Sequence, residues 1–278
     1  METGSVTHKA VVLARGLGKR MRKGEGRPLA PDAERAARDG LKGLIPFQGR
    51  PFLDYVMGSL IEAGLRRICL VIAPDADALK DYARRTSDAS GAEITWSVQQ
   101  EPRGTADAVL AAAEFVGDEA FVMSNCDNLY PREALRQLAG LSGPECCVAA
   151  FDSEEMVRQS NFAPERVRSF AVVVSSRDGL VEEIVEKPAE PERYVRDGRL
   201  WVNMNLYRFT PPIFDACRRI EPHPERKELE LTSAVALLAR EGRVPFRVIQ
   251  CRGGVLDLTS RDDVGTVEKL LKGRTPAF

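Results

Sequence analysis

Short apolar runs alternate with segments of helical character along the first half of the chain. The segment 52–63, for example, places apolar residues at three- and four-residue spacing and stops at Gly64. Strands that alternate with helices indicate a parallel sheet covered by helices on both faces. The predicted strands are residues 10–14, 67–73, 93–98 and 120–124, and the predicted helices are residues 52–63, 77–85, 105–115 and 131–139.

The second half of the chain is less regular, so part of the sheet is expected to be mixed. We predict one α/β domain over residues 1–278, with a Rossmann-like, mostly parallel sheet. The charged segment 22–39 has little apolar periodicity and is predicted to be a mobile loop. In this half the predicted strands are residues 146–151, 169–175, 180–186, 201–209 and 244–250, and the predicted helices are residues 213–219, 231–240 and 262–272.

Composition excludes several classes of protein. The net charge of −1 argues against a general nucleic-acid binder, and no apolar run approaches the length of a membrane span. The polar N-terminus has no signal-peptide core, and the six cysteines have no metal-binding spacing. We therefore expect a cytoplasmic protein with free, buried thiols. With only two histidines, catalysis by a histidine-dependent triad is disfavoured.

A glycine-containing loop follows the first predicted strand. Gly16 and Gly18 come just after the apolar run, and Lys19 and Arg20 follow at once. Glycines let backbone N–H groups approach a ligand, and phosphate is the ligand that such a loop with following cations favours. Met21 stands where the dinucleotide fingerprint needs a third glycine, and Arg20 stands where a Walker A loop needs serine or threonine. A tight turn with an exposed basic edge is the alternative.

Polar residues stand at the ends of other predicted strands, where open α/β sheets bind ligands. Asp127 and Asp257 follow two such strands and could form an oxygen site for Mg²⁺, although aspartate is also common in turns. Gln99 could pair with the edge of a nucleobase, and Gly104 would leave room for the base against the backbone. Thr105 is predicted to cap the helix that starts there.

The order of these motifs resembles that of the sugar-phosphate nucleotidylyltransferase family, the nucleoside-diphosphate-sugar pyrophosphorylases that include glucose-1-phosphate thymidylyl- and uridylyltransferases. The resemblance spans about residues 10–270. It is carried by residues 13–21 (LARGLGKRM), 41–46 (LKGLIP), 49–53 (GRPFL), Gln99 with 104–108 (GTADA), 125–127 (NCD), 185–188 (VEKP), 201–207 (WVNMNLY), 228–234 (ELELTSA) and 255–259 (VLDLT).

The resemblance implies a nucleotide-diphospho-sugar transferase fold with a nucleotide-binding half (about 10–140), a sugar-binding half (about 141–260) and a C-terminal helix (261–278). It also implies a role for each matching residue. Arg20 and Lys42 would be catalytic, with Arg20 on the triphosphate and Lys42 on the sugar phosphate, and Asp127 and Asp257 would hold Mg²⁺. The nucleotide-binding set would be Leu13, Ala14, Arg15, Gly16, Gly18, Gln99, Gly104 and Thr105, and the sugar-binding set Glu186, Lys187, Asn203 and Ala171.

The chain departs from the family's usual pattern at several positions. Arg15 replaces a small residue, Lys19 replaces threonine or serine, and an inserted basic segment at 22–38 lengthens the path from Arg20 to Lys42. On the sugar side, Ala171 stands in place of a glycine that often touches the sugar, and Asn205 replaces the glycine of Asn-x-Gly. Leu258 and Thr259 replace the usual Ile/Val-Gly pair.

The expected activity is that of an EC 2.7.7-type enzyme. It would join a nucleoside triphosphate, with UTP or dTTP favoured, to a sugar 1-phosphate, and it would depend on Mg²⁺. A non-catalytic protein that senses sugar nucleotides on the same fold is the alternative, while a nicotinamide dehydrogenase is disfavoured by the missing third glycine. No nucleic-acid or membrane partner is expected, and the sequence leaves the sugar and a homo-oligomeric state open.

Overall fold

A mixed sheet forms the centre of the computed structural model, which describes residues 6–16, 18–23, 26 and 28–278. Two short two-stranded ladders lie outside this sheet. The strands are β1 (Lys9–Leu13), β2 (Pro46–Phe47), β3 (Arg50–Pro51), β4 (Arg67–Ile72), β5 (Glu93–Val98), β6 (Phe121–Asn125), β7 (Asn128–Leu129), β8 (Cys146–Asp152), β9 (Val172–Ser175), β10 (Val181–Val185), β11 (Trp201–Phe209), β12 (Phe246–Cys251) and β13 (Leu256–Asp257).

Helices cover both faces of the sheet. They are α1 (Lys19–Arg22), α2 (Pro31–Asp39), α3 (Phe52–Glu62), α4 (Asp77–Ser90), α5 (Thr105–Ala111), α6 (Ala113–Val116), α7 (Arg132–Ala139), α8 (Ser153–Gln159), α9 (Pro164–Arg168), α10 (Pro212–Arg219), α11 (Leu231–Glu241) and α12 (Arg261–Leu271), with 3₁₀ turns at Lys42–Leu44 and Pro191–Tyr194. Ala10 and Val12 of β1 pack into one apolar core and Val11 into the other, as the two-residue repeat of a strand requires.

The strand order separates a parallel part from an antiparallel part. Strands β6, β1, β4 and β5 are neighbours and run parallel, whereas β11 pairs antiparallel with β6 and brings β8, β9, β10 and β12 into the same sheet. Leu13 at the end of β1 is level with Val71 and Asn125. The chain segments that follow β1, β5 and β6 therefore meet at one edge of the sheet.

The charged segment 22–39 is not a loop throughout, contrary to the prediction, because residues 31–39 form helix α2. Pro31 at its first position and Gly40 at its end favour a helix here. Its buried face consists only of alanines, which give a weak hydrophobic signal. Glu34 accepts hydrogen bonds from the Arg261 guanidinium and so fastens α2 to α12. Leu17 in the glycine loop and Gly24, Glu25 and Arg27 in this segment lie outside the described residues.

Thr105 does not cap its helix as predicted. Gly104 occupies the N-cap position, and the predicted helix 105–115 is divided into α5 and α6 at Ala112. The Thr105 hydroxyl instead accepts a hydrogen bond of 2.9 Å from the backbone N–H of Leu231, so it ties α5 to the start of α11. The sequence could not reveal this partner because it lies more than a hundred residues away.

The six cysteines are free thiols, and all but Cys126 are buried, which agrees with the expected buried thiols. Every helix in the described part of the chain is too short or too polar to span a lipid bilayer.

Candidate active site

A cavity of about 440 Å³ opens where β1, β5 and β6 end. The position agrees with the rule that open α/β sheets bind ligands beyond the carboxyl ends of their strands. The residues predicted to bind the nucleotide all line it, together with the predicted catalytic pair and one of the predicted metal ligands. These residues are Leu13, Ala14, Arg15, Gly16, Gly18, Gln99, Gly104 and Thr105, then Arg20 and Lys42, and finally Asp127.

The glycine loop is held to the sheet at its start and to Gly40 further along. The N–H of Ala14 donates to Val71 across 2.8 Å, which continues the β1 ladder by one residue. Gly18 has φ +58°, and a Cβ built on it would lie 3.1 Å from the Gly40 backbone. Only glycine fits this left-handed position and close approach without strain. Helix α1 starts at the next residue and places Arg20 on the cavity wall.

Arg15, which replaces a small residue of the family pattern, fastens the glycine loop to the end of β5. Its Nε donates to the carbonyl of Gln99 at 2.7 Å, and its Nη2 donates to the carbonyl of Gln100 at 3.1 Å. These bonds join the two segments that were predicted to hold the nucleobase. The departure from the family pattern thus has a structural role in this chain.

Gln99 is almost completely buried on the cavity wall, and its amide group is anchored at one end. The Nε2 atom donates to the carbonyl of Gly104 at 3.0 Å and to the Asp107 carboxylate at 2.7 Å. Asp107 lies in the first turn of α5. Asp107 belongs to segment 104–108, which carries part of the family resemblance, but no role of its own was predicted for it.

Gly104 lines the cavity, but the chain itself explains why a glycine stands there. Its φ is +121°, and a Cβ would meet the backbone oxygen and nitrogen of Leu229 at 2.4 and 2.5 Å. Leu229 donates its N–H to Arg103 and accepts from the N–H of Ala106. The segment that precedes α11 therefore fills the space on this side of Gly104, where the sequence predicted that a nucleobase would fit.

Lys42 and Asp127 form an ion pair on the cavity wall. Their Nζ and Oδ2 atoms are 3.0 Å apart, and the Lys42 and Asp127 side chains are 16% and 23% exposed. Lys42 begins a 3₁₀ turn, and Asp127 lies in the turn between β6 and β7. The backbone N–H of Cys126 donates to Leu13, which holds this turn beside the glycine loop. Lys42 and Asp127 thus present one positive and one negative charge to the cavity.

Asp257 lies in β13, which pairs antiparallel with β7 and places Asp257 opposite Asn128. It is buried, and both of its carboxylate oxygens have partners. Oδ1 is 2.7 Å from Nη2 of Arg166, and Oδ2 accepts from Nδ2 of Asn128 at 2.8 Å. Burial raises the pKa of the Asp257 carboxyl above its usual range, and the negative charge of nearby Asp127 raises it further. Asp257 does not line the cavity.

Asp127 and Asp257 carry carboxylate oxygens of the kind that suit Mg²⁺, although both oxygens of Asp257 are already paired and only Asp127 lines the cavity. This ion prefers oxygen ligands and commonly takes one or two carboxylates together with substrate phosphates and water, so a full protein cage is not needed. The adjacent strands β7 and β13 carry Asp257 and the residue that follows Asp127. No group of three or more acidic, histidine or cysteine side chains arranged for a metal occurs among the described residues. Mg²⁺ in this position would therefore depend on phosphate oxygens.

The predicted sugar-binding residues lie outside the cavity, in the antiparallel part of the sheet. The backbone N–H of Asn203 in β11 donates to the carbonyl of Ala171, and its Nδ2 donates to the Tyr207 hydroxyl at 2.6 Å. Glu186 directly follows β10. Burial raises the pKa of the Tyr207 hydroxyl, and the nearby negative charge of Glu186 raises it further. Lys187 has φ +42°. Asn203 and Ala171 are hydrogen-bonded neighbours, and none of the four predicted residues lines the nucleotide cavity.

Arg166 is a further residue near the site that was not predicted from the sequence. Besides Asp257, it contacts the Asp263 carboxylate at 3.3 Å and lies over the ring of Phe162. It belongs to α9, which was not predicted because its apolar pattern is too short. No local signal could have paired Arg166 with an aspartate 91 residues away.

Comparison with solved structures defines the fold class. The chain matches UDP-glucose pyrophosphorylase complexed with UDP-glucose with a TM-score of 0.72 at 19% identity, over 97% of this chain and 100% of that one. It matches the inositol-1-phosphate CTP transferase from T. maritima with a TM-score of 0.70 at 18% identity, over 97% and 96%. The protein thus has the mixed-sheet fold of the nucleotide-diphospho-sugar transferases, as predicted.

The family follows from sequence. The model of the nucleotidyl transferase family matches residues 9–275, and this chain belongs to that family. UTP–glucose-1-phosphate uridylyltransferase AglF of Haloferax volcanii is 28% identical over 96% of this chain and 98% of its own length. Glucose-1-phosphate thymidylyltransferase of Streptomyces griseus is 30% identical over 84% of this chain, which spans 58% of that relative. The family resemblance seen in the sequence is confirmed.

Proposed function

We propose that this protein transfers a nucleotidyl group from a nucleoside triphosphate, UTP or dTTP in preference, to a sugar 1-phosphate. The products are a nucleoside-diphosphate sugar and pyrophosphate. One observation carries the proposal: the glycine loop, Gln99, Arg20 and the Lys42–Asp127 pair line a single cavity at the carboxyl edge of the sheet. Relatives named as uridylyl- and thymidylyltransferases over most of this chain support it.

In this reaction an oxygen of the sugar phosphate attacks the α-phosphorus of the triphosphate. A new P–O bond forms, the bond from the α-phosphorus to the α,β-bridging oxygen breaks, and its electron pair leaves with pyrophosphate. The attacking phosphate is already an anion, so no side chain has to remove a proton. Positioning and charge stabilisation therefore supply most of the rate enhancement.

The cations of the cavity counter the repulsion between the two phosphate groups. Lys42 binds the sugar phosphate beside the α-phosphorus, and Arg20 binds the triphosphate and the charge that develops on the leaving group. Asp127 holds the Lys42 ammonium in place before substrate arrives, because the two groups are within 3.0 Å. The backbone of residues 14–16 and the Gln99 side chain position the nucleobase.

Mg²⁺ bound with the triphosphate would neutralise phosphate charge and supply Lewis-acid polarisation. Asp127 and Asp257 are the residues that would hold it. On the sugar side, Glu186 and Asn203 would bind sugar hydroxyls, Lys187 would lie near the sugar phosphate, and Ala171 would contact the ring. We place the reaction in the cytoplasm because free thiols are the usual state in a reducing compartment.

The direct test is a matrix of nucleoside triphosphates against sugar 1-phosphates, read by pyrophosphate release with and without Mg²⁺. We expect release with UTP or dTTP and at least one sugar phosphate, and loss of release when Mg²⁺ is chelated. Absence of release from every pair in the matrix would contradict the proposed function.

A second candidate is a non-catalytic protein that binds sugar nucleotides. It is favoured by the departures from the family pattern on the sugar side, where Ala171 and Asn205 stand in place of glycines. Calorimetry with UTP and with UDP-sugars, run beside the release assay, separates the two functions. Tight binding of a nucleoside-diphosphate sugar without turnover in either direction would favour the second candidate.

A further inference from the structure

The Gln99 side chain can use only one of its two polar atoms for a ligand. Both hydrogens of its Nε2 group are already used, one by the carbonyl of Gly104 and one by the Asp107 carboxylate. Within the described part of the chain no group donates to its Oε1, and the residue lies on the cavity wall. A ligand that enters the cavity therefore meets a hydrogen-bond acceptor at this point.

Asp107 gives the amide this orientation. If the Gln99 amide turned over, its oxygen would face the Asp107 carboxylate and the Gly104 carbonyl, which are both acceptors. Two hydrogen bonds would be replaced by two repulsive contacts at an almost completely buried side chain, where unpaired polar groups are costly. The bond to the carboxylate is also the shorter of the two, at 2.7 Å, as expected for a charged acceptor.

We propose that Asp107 is a positioning residue that keeps the Gln99 amide oxygen directed at the nucleobase and thereby selects bases with a protonated ring nitrogen. The inference rests on the proposed function and refines its substrate class. Uracil, thymine and guanine carry a ring N–H on their hydrogen-bonding edge. Cytosine and adenine carry a lone pair there, which the Gln99 oxygen repels, and such repulsion is an effective source of specificity.

The test measures binding of UTP, CTP and N3-methyl-UTP by calorimetry without sugar phosphate, and pyrophosphate release with it. For the unmodified protein we expect UTP to bind about ten- to a hundredfold more tightly than CTP or N3-methyl-UTP, the usual penalty for an unsatisfied or repelled polar group. Asp107→Ala lets the amide turn, so the preference for UTP over CTP should narrow by about five- to tenfold. This change should appear in KM for the triphosphate rather than in kcat.

Two further variants separate positioning from a structural effect. Asp107→Asn still offers an oxygen to Nε2 of Gln99 and should keep the preference for UTP. Glu114→Ala removes an exposed acid from the first turn of the next helix, α6, and should change neither affinity nor preference.

Equal affinity of the unmodified protein for UTP, CTP and N3-methyl-UTP would overturn the inference, as would an unchanged preference in a folded Asp107→Ala variant. If that variant does not fold, the Asp107→Asn variant and the N3-methyl-UTP measurement still decide. Failure of the proposed function would look different, because pyrophosphate release would be absent with every triphosphate while the binding preference could still be measured.

Discussion

Asp127 and Asp257 were predicted to share one metal ion, yet the fold places them in different surroundings. Asp127 is partly exposed on the wall of the nucleotide cavity, where Lys42 is its cation partner. Asp257 is buried and does not line the cavity, and Arg166 and Asn128 occupy both of its oxygens. Strands β7 and β13 nevertheless pair, so Asp257 lies opposite Asn128, the residue that follows Asp127.

Asp127 with Lys42 is accessible to a substrate, whereas Asp257 belongs to the protein's interior. Lys42 can exchange its contact with Asp127 for a phosphate, because both side chains reach the cavity. Arg166 is held by two buried carboxylates and by the ring of Phe162, which makes it a structural partner of β13 and α12 as well. Substitutions at Lys42 or Asp127 should therefore affect mainly activity, whereas substitutions at Asp257 or Arg166 should affect stability or metal affinity.

The largest effect is expected from Lys42→Ala. Loss of a cation beside the reacting phosphates should lower kcat by about 10²- to 10³-fold, as for loss of a single transition-state donor. Steady-state pyrophosphate release measures it, and Lys272→Ala, which removes an exposed lysine of the C-terminal segment, is the control. Near-full activity of Lys42→Ala with every sugar phosphate would show that this lysine has been assigned wrongly.

The two aspartates should differ in their effect on stability. Asp257→Asn weakens charged hydrogen bonds in a buried site and should lower the free energy of unfolding by about 1.5–3 kcal/mol. Asp127→Asn removes a pair with a partly exposed lysine and should cost less than about 1 kcal/mol while still lowering activity. Urea unfolding of both variants measures the difference. Equal losses of stability would mean that the two carboxylates have equivalent surroundings after all.

A smaller effect is expected on metal affinity. Arg166→Ala removes a cation that competes for the Asp257 carboxylate, so Mn²⁺ used as a probe should bind the complex with UTP about fivefold more tightly, which corresponds to one screened charge pair. Calorimetry measures this affinity. Arg168→Ala is the matched control, because Arg168 lies in the same helix α9 but pairs with Glu192 at the surface. Weaker Mn²⁺ binding in Arg166→Ala would instead give Arg166 a supporting role at the metal site.

Local patterns predicted most of the secondary structure. The strand at 93–98 and the strand at 201–209 have the predicted bounds, and the helix predicted at 52–63 ends one residue earlier in the structure. The exceptions have physical reasons. Helix α2 buries only alanines, so its apolar face is hard to see, and Thr105 bonds to Leu231 rather than capping its own helix.

The sequence by itself determined the α/β class, the family and the placement of Arg20, Lys42, Gln99 and Asp127 at the carboxyl edge of the sheet, since strand periodicity, glycine loops and motif order are local properties of the chain. Only the tertiary structure decided which atoms of those residues remain free. The anchoring of Gln99 by Asp107, the tie from Arg15 to β5 and the engagement of Asp257 by Arg166 are contacts of side chains set by packing. Two of these three join segments far apart in the sequence, and even the Gln99–Asp107 bond depends on how the loop folds back, so neighbouring residues could not reveal them.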